Sequence, residues 1–300
     1  MSILTDTIRR LARPLEPEPT GIEPHTAPLS AIRAVLFDVY GTLFISASGD
    51  IGTLLHGDRS SHLVAALTDA GLDGRLDEAA AAGIRRFHDA IRETHAALRA
   101  RGTEYPEIDV QRIWAEVLTA LGDEGLITKP SSPAHVSAVA VSYEMRANPV
   151  WPMPGTHRLL DQLSSQGWPL GIVSNAQFYT PLLFEALLDG TPESLGFDPE
   201  LCAWSWQAGE AKPSTRLFAG VLRTLESRKV PAGQVLYVGN DMLNDMAAAA
   251  EAGCRTALFA GDRRSLRLRQ DHARCAGLRP DRTLTRIGDV AQILGLNPDQ

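Results

Sequence analysis

The sequence predicts an α/β protein built on a doubly wound, Rossmann-like parallel sheet. After residue 149, short apolar runs alternate with helical segments, as in right-handed βαβ units whose sheet is covered on both faces. Earlier, the apolar run 35–37 stops at Asp38 and the chain breaks at Gly41. A buried strand that ends on an acid places that acid at the sheet edge where open α/β sheets bind ligands.

The chain divides into three parts. Residues 1–30 contain five prolines and few apolar side chains, which predicts a flexible N-terminal extension. Residues 31–46 and 148–300 predict the α/β core. Residues 47–147 show apolar side chains at three- and four-residue spacing without strand-like alternation. They therefore predict a helical cap domain inserted into the first βα unit.

Turn residues set the predicted element boundaries in the second half of the chain. Thr180 and Pro181 mark a helix start, and Gly167 and Gly253 mark helix ends. The residues around 263–269 include four arginines, interpreted as a solvated helix face, with a patch for an acidic partner as the alternative. We expect helices at 157–166, from 180 onward, at 214–226 and 242–252, and strands at 169–173, 201–204, 235–238 and 256–259, followed by a strand–helix pair ending near 294.

Composition excludes several classes of partner. The 300 residues carry a net charge of −7 without a long basic block, so we expect a small anionic substrate and no nucleic acid. No apolar run approaches the length of a membrane span, so no membrane partner is expected. The three cysteines, Cys202, Cys254 and Cys275, are widely separated, which favours reduced thiols in a cytoplasmic setting. Composition leaves the oligomeric state open.

Distinctive polar groups follow four of the predicted strands. Because the carboxyl ends of parallel strands lie at one edge of a sheet, these groups should converge. A carboxylate can attack a substrate, hydroxyl and amide groups can hold its oxygens, and a lysine can neutralise developing charge. Acidic residues beside the nucleophile call for a cation, and Mg²⁺ prefers oxygen ligands. The groups are Asp38 with Thr42, Ser174 with Asn175, Lys212, and the run from Asn240 to Asp245.

These stretches resemble, in order and spacing, the four motifs of the haloacid dehalogenase superfamily of hydrolases. The matching segments are DVYGTL at 38–43, Ser174-Asn175, Lys212-Pro213 and GNDMLND at 239–245. The resemblance covers roughly residues 31–298, and the helical insertion is similar to the family's cap. It implies a hydrolase of α/β fold whose cap selects the substrate.

The resemblance also implies a role for each matching residue. Asp38 would be the nucleophile and Lys212 would bridge it to the transferring group, which is held by Thr42, Ser174 and the amide of Asn175. A Mg²⁺ ion would be held by Asp38, the carbonyl of Tyr40, Asp241 and Asp245.

Two positions depart from the phosphatases of this family. They usually carry a second Asp two residues after the nucleophile as general acid and base, whereas this chain has Tyr40. A phenol with a pKa of about 10 donates or accepts a proton poorly at neutral pH, and dehalogenating members are among those with Tyr there. The common Gly-Asp of the fourth motif is replaced by Gly239-Asn240-Asp241. Either Asn240 or Asp241 then ligates the metal, and Asp241 is preferred for its charge.

The sequence thus favours a Mg²⁺-dependent phosphatase that forms an aspartyl-phosphate at Asp38 and acts on a small metabolite. Asp38, Tyr40 and Lys212 are its predicted catalytic residues. A metal-independent 2-haloacid dehalogenase is the alternative, favoured by Tyr40. It is disfavoured by the acidic fourth motif and by Phe218, where dehalogenases tend to carry Tyr. A non-catalytic binding protein on the same scaffold is the third hypothesis.

Four basic residues of the predicted cap could meet an anionic substrate. We interpret them as a solvated helix face, with substrate contact as the alternative. They are Arg85, Arg86, His88 and His95.

Overall fold

The computed structural model describes residues 2–47 and 59–296, and a six-stranded parallel sheet forms its centre. The strands are β1 (Ala34–Phe37), β2 (Phe44–Ser46), β3 (Val150–Pro152), β4 (Leu170–Ser174), β5 (Phe197–Trp204), β6 (Val235–Gly239), β7 (Arg255–Phe259) and β8 (Arg282–Leu284). Across the sheet they follow the order β5-β4-β1-β6-β7-β8, with β2 and β3 forming a separate antiparallel pair. This architecture confirms the predicted fold class.

Helices cover both faces of the sheet, so β1 is buried on both sides. Val35 and Phe37 pack into one hydrophobic cluster, while Ala34 and Leu36 pack into the other, as the two-residue period of a strand requires. The α-helices in the described part of the chain are α1 (Ile3–Leu11), α2 (Ser60–Asp69), α3 (Leu76–Ala100), α4 (Val110–Asp123), α5 (Pro133–Ala147), α6 (Thr156–Ser165), α7 (Thr180–Leu187), α8 (Ser205–Ala208), α9 (Arg216–Ser227), α10 (Ala248–Glu251) and α11 (Asp289–Ile293).

The described part of the insertion between β2 and β3 forms helices α2 to α5. Its interior is aromatic: the ring of Phe87 stacks on Trp114 with centroids 4.3 Å apart, and Tyr143 meets Trp114 edge-on at 5.1 Å. The helices agree with the predicted helical block, while its limits as a separate domain, 47–147, remain a prediction. Residues 48–58 of that block lie outside the described residues. None of the helices in the described ranges combines the length and apolarity needed to cross a bilayer.

The helix predicted at 242–252 begins as a π-helical turn, Met242–Ala247, and only its end, α10, is α-helical. The prediction of a solvated helix face around 263–269 is wrong. That segment runs beside the loop after β6 instead: Arg267 N donates to Asn240 O at 3.0 Å, and Met242 N donates to Arg267 O at 2.8 Å. These backbone bonds take the place of helical ones.

The first thirty residues differ from the predicted flexible tail. Helix α1 packs between α5 of the insertion and α7 of the core, with Ile8 fully buried. Arg9 donates to the carbonyl oxygens of Glu185 and Ala186 at 2.7 and 3.0 Å, at the end of α7. Unpaired carbonyls at a helix C-terminus favour such a cation. Further along, Glu18 N donates to Asp262 Oδ1 at 3.0 Å and Thr20 Oγ1 donates to Ala260 O at 2.7 Å, so the proline-containing segment also lies against the core.

Candidate active site

Asp38, Lys212 and Asp245 form a buried cluster at the carboxyl ends of the central strands. Lys212 Nζ lies 2.7 Å from Asp38 Oδ1 and 2.6 Å from Asp245 Oδ1. Its third hydrogen bond, at 2.8 Å, goes to the hydroxyl of Tyr237. All three protons of the ammonium group are thus used, and the exposed fraction of Lys212 is 4%.

The two carboxylates of this cluster stabilise the positive charge of Lys212. Burial opposes the positive charge of Lys212, but the carboxylates of Asp245 and Asp38 outweigh it and raise the pKa of the lysine. Burial raises the pKa of Asp245 to about 6, opposed by Lys212 and assisted by Asp38 and Asp241. Lys212 is therefore a fixed cation next to Asp38, suited to orienting a nucleophilic carboxylate and to stabilising negative charge that develops on it.

Asp245 is held from all sides. Its Oδ2 accepts hydrogen bonds from the backbone N–H groups of Asn240 and Asp241, both at 2.9 Å. A side chain at Gly239 would place Cβ 2.4 Å from Asp245 Cγ, so only glycine fits there. The π-helical turn that carries Asp245 places its side chain in contact with Gly239 at the end of β6. Asp245 thus supports Lys212, while a role in holding a metal stays a prediction.

Tyr237 is a site residue that the sequence analysis missed. Its hydroxyl accepts from Lys212 and lies 2.7 Å from Val173 O and 3.1 Å from Asp245 Oδ1, which compete for its single proton. Its ring meets Phe218 edge-on at 4.9 Å. Phe218, at the position where dehalogenases tend to carry Tyr, is thus apolar. The phenol that contacts Lys212 comes instead from Tyr237 of β6. The alternation of residues in β6 predicts the face of the sheet on which Tyr237 lies. It does not predict that Lys212 contacts the hydroxyl there.

Tyr40 lines the cleft beside Asp38, with its hydroxyl 2.9 Å from Thr180 Oγ1 at the start of α7. Burial, followed by the charge of Glu144, raises its pKa well above the ordinary value of a phenol. A phenol that holds its proton this firmly is a poor general base at neutral pH.

The three predicted substrate-binding residues have different surroundings. Asn175 lines the cleft, and its side chain holds the backbone of Lys212: Oδ1 accepts from Lys212 N at 2.7 Å and Nδ2 donates to Lys212 O at 3.2 Å. Thr42 is fully buried and donates to Asn240 Oδ1 at 3.2 Å. Ser174 is fully buried at the end of β4, with its hydroxyl 3.4 Å from Asn175 O. Their contact with a substrate remains a prediction.

The predicted metal ligands do not form a site ready for Mg²⁺. Arg269 donates two hydrogen bonds to Asp241 Oδ2, from Nη2 at 2.7 Å and from Nε at 3.2 Å. The other oxygen, Oδ1, accepts the backbone N–H groups of Leu243 and Asn244 as a helix cap. The amide of Asn240 is engaged by Thr42 and by Ser265 O.

Across the described ranges, no group of three or more His, Cys, Asp or Glu side chains is placed to hold a metal ion. For Asp241 to ligate Mg²⁺ through Oδ2, the guanidinium of Arg269 would have to move away from that oxygen. The residues as arranged therefore do not fit the metal.

A cleft of about 460 Å³ opens between the sheet edge and the insertion. Asp38, Lys212 and Asn175 line its inner end, and one face of α3 lines the opposite wall. Of the four basic residues predicted for the cap, His88 and His95 line the cleft. Arg85 is exposed, and Arg86 pairs with Glu124. Arg92 and Arg99, which the sequence analysis did not single out, line the cleft as well.

A family model for haloacid dehalogenase-like hydrolases matches residues 32–253. No curated protein matches the sequence. Solved structures of similar fold include a HAD phosphatase from Thermococcus onnurineus, at 20% identity over 88% of this chain and 98% of that one, with a TM-score of 0.50. An L-2-haloacid dehalogenase from Xanthobacter autotrophicus has 21% sequence identity over 88% of this chain and 98% of its own, with a TM-score of 0.47. A hydrolase from Bacillus subtilis, solved bound to magnesium, has 16% sequence identity over 89% of this chain and 100% of its own, with a TM-score of 0.48.

Proposed function

Because the chain belongs to the haloacid dehalogenase-like hydrolases, we propose that it hydrolyses a 2-halo carboxylic acid through an ester at Asp38, without a metal ion. The observation that carries this proposal is the pairing of Asp241 with Arg269. A guanidinium already compensates the carboxylate that the sequence favoured as metal ligand. Lys212 meanwhile supplies the positive charge at Asp38.

The proposed reaction has two steps. Lys212 holds Oδ1 of Asp38, so Oδ2 attacks carbon 2 of the substrate, forms a carbon–oxygen bond and expels the halide with the bonding electrons. A halide leaves without a proton, so a tyrosine in place of the usual acid is no obstacle. Water then attacks Cγ of the ester, while Lys212 stabilises the charge on the carbonyl oxygen. The bond between Cγ and Oδ2 breaks, Oδ2 leaves with carbon 2 and takes one proton of the water, and the other proton is released to solvent. The products are a 2-hydroxy acid, a halide ion and a proton, and Asp38 is restored.

Halide release from 2-bromo acids of three to six carbons tests this proposal. We expect turnover that is unchanged by EDTA and absent in Asp38→Asn. Repeated turnover in H₂¹⁸O should place ¹⁸O in the peptide that contains Asp38, because water attacks the ester there. Halide release without label in that peptide would overturn the covalent route, and release abolished by EDTA would overturn metal independence.

A Mg²⁺-dependent phosphatase is the second candidate. The observation in its favour is that Asp38, Asp241 and Asp245 line one cleft. It requires Arg269 to release Asp241. Hydrolysis of p-nitrophenyl phosphate that needs Mg²⁺ and disappears in Asp38→Asn, together with no halide release, would establish it instead. If neither reaction occurs, the non-catalytic hypothesis gains support, although the buried Asp38–Lys212 pair argues against a decayed site.

A further inference from the structure

Helix α3 presents a stripe of basic side chains to the cleft. His88, Arg92, His95 and Arg99 follow one another at intervals of four, three and four residues, which places them on one face of a helix. All four line the same cleft as Asp38 and Lys212. At a rise of about 1.5 Å per residue, the stripe is about 16 Å long. One wall of the cleft therefore carries nitrogen groups over a length greater than a three-carbon acid.

The members of this basic stripe differ in how their charge is compensated. Arg92 donates to Asp89, one turn earlier on the same helix. Arg99 is exposed, and no ion pair joins it to another side chain within residues 2–47 and 59–296. Burial, and then the charge of Arg99, lowers the pKa of His95, so this imidazole is neutral at pH 7. At that pH, Arg99 is a cation of the stripe that no carboxylate of the described residues pairs with.

His95 offers a second feature that points to a ligand. Its Nε2 is shielded from solvent and has no hydrogen-bond partner among the described residues. A buried polar atom without a partner costs free energy. A ligand group at this end of the stripe could satisfy both the Arg99 guanidinium and the His95 nitrogen.

Two other polar residues of the cleft lining, Glu107 and Tyr105, are hydrogen-bonded to groups other than Arg99. The Glu107 carboxylate accepts from Ser205 Oγ at 2.6 Å and from Gln177 Nε2 at 3.2 Å, and the Tyr105 hydroxyl accepts from Arg274 Nη1 at 3.2 Å. Phe87 and Ile91 add apolar side chains to the same lining.

We propose that the cleft binds a 2-halo dicarboxylic acid whose remote carboxylate is held by Arg99 and His95. This inference rests on the proposed function and names its substrate class. A single uncompensated guanidinium matches a carboxylate, which it binds with two parallel hydrogen bonds. The cleft volume of about 460 Å³ lies in the range of sites for ligands larger than a halopropionate. The reacting end lies at Asp38, and the apolar chain spans Phe87 and Ile91.

Binding of unreactive acids tests this subsite without relying on catalysis. Isothermal titration would compare adipate with hexanoate, which has the same number of carbons but lacks the second carboxylate. We expect wild-type protein to bind adipate at least about tenfold more tightly, because a hydrogen bond to a charged group is lost in hexanoate. Arg99→Gln should abolish this preference, and His95→Phe should reduce it. Arg85→Gln, an exposed arginine of α3 outside the cleft, should leave it unchanged.

Halide release from 2-bromoadipate and 2-bromohexanoate then links the subsite to the reaction. We expect kcat/KM to favour 2-bromoadipate in the wild type and in Arg85→Gln, with the preference lost in Arg99→Gln mainly through a higher KM. Equal binding of adipate and hexanoate by wild-type protein, or a preference that survives in Arg99→Gln, would overturn the subsite. Selective adipate binding without halide release would retain the subsite and reject the proposed reaction.

Discussion

The guanidinium of Arg269 binds the carboxylate of Asp241, with 2.7 Å between Nη2 and Oδ2. Asp241 is largely buried, with 9% of its side chain exposed, whereas 35% of the Arg269 side chain is exposed. The pairing compensates the acid in the position that the sequence favoured for a Mg²⁺ ligand. It is the contact on which the choice between a metal-independent and a metal-dependent hydrolase depends.

Arg269→Gln should expose this dependence. Asp241 would lose its cation, and we expect the free energy of unfolding to fall by about 1–3 kcal/mol. We also expect Mg²⁺ to stabilise the variant and to leave the wild type unchanged. Thermal unfolding with and without Mg²⁺ provides the measurement. Arg267→Gln is the matched control, because Arg267 Nη1 donates to backbone carbonyls, at 2.7 Å for Arg264 O. Equal stabilisation of the wild type by Mg²⁺ would contradict our assignment.

Tyr237→Phe should slow the reaction while preserving the fold. The change removes the hydroxyl that accepts from Lys212 at 2.8 Å, so the ammonium group is less firmly placed against Asp38. We expect kcat to fall about tenfold or more, with KM little changed, because a hydrogen bond to a charged group is lost. Steady-state halide release provides the measurement. Tyr143→Phe is the control, since the buried Tyr143 hydroxyl has no hydrogen-bond partner among the described residues; similar rates in both variants would refute the role of Tyr237.

Glu144 should make the stability of the protein depend on pH. Burial, opposed by hydrogen bonds from Asn148 and Tyr179 and by the charge of Arg59, raises its pKa from 4.5 to about 6. The folded state therefore binds this proton more tightly than the unfolded state, and stability falls as the pH rises through the interval from about 4.5 to 6. A shift of this size corresponds to about 2 kcal/mol.

Urea unfolding at several pH values can isolate this contribution. Glu144→Gln cannot ionise, so its stability relative to wild type should increase by about 2 kcal/mol between pH 4.5 and 6.5. A difference that stays constant with pH would show that Glu144 titrates normally.

Ile8→Ala tests whether α1 belongs to the folded structure. Ile8 is fully buried between α5 and α7, so removing its side chain should lower the free energy of unfolding by about 2–5 kcal/mol. Ile3, on the same helix, is 76% exposed, and Ile3→Ala should change stability by less than about 0.5 kcal/mol. Urea denaturation of both variants provides the comparison, and an equal effect would favour the flexible tail that the sequence predicts.

The sequence predicted the core strands to within a few residues because their patterns are local. A short apolar run bounded by turn residues indicates a buried strand wherever it occurs, as at 235–238. The same reasoning placed Asp38, Lys212 and Asp245 at one sheet edge, since parallel strands share that edge. The predictions for residues 1–30 and 263–269 are wrong. Proline content and charge indicate that a segment is exposed, but they do not indicate which part of the protein it packs against.

By itself, the sequence determined the fold class, the family resemblance and the placement of Asp38 and Lys212 at one sheet edge, all of which depend on residue order and period. Tertiary structure decided the partners of each polar group. Arg269 lies 28 residues from Asp241, and Tyr237 lies 25 residues from Lys212. Several arginines and tyrosines could fill such roles, and only the packed chain selects among them. Buried charges and hydroxyls take the nearest partner in space, and the spacing of residues along the chain does not encode that distance.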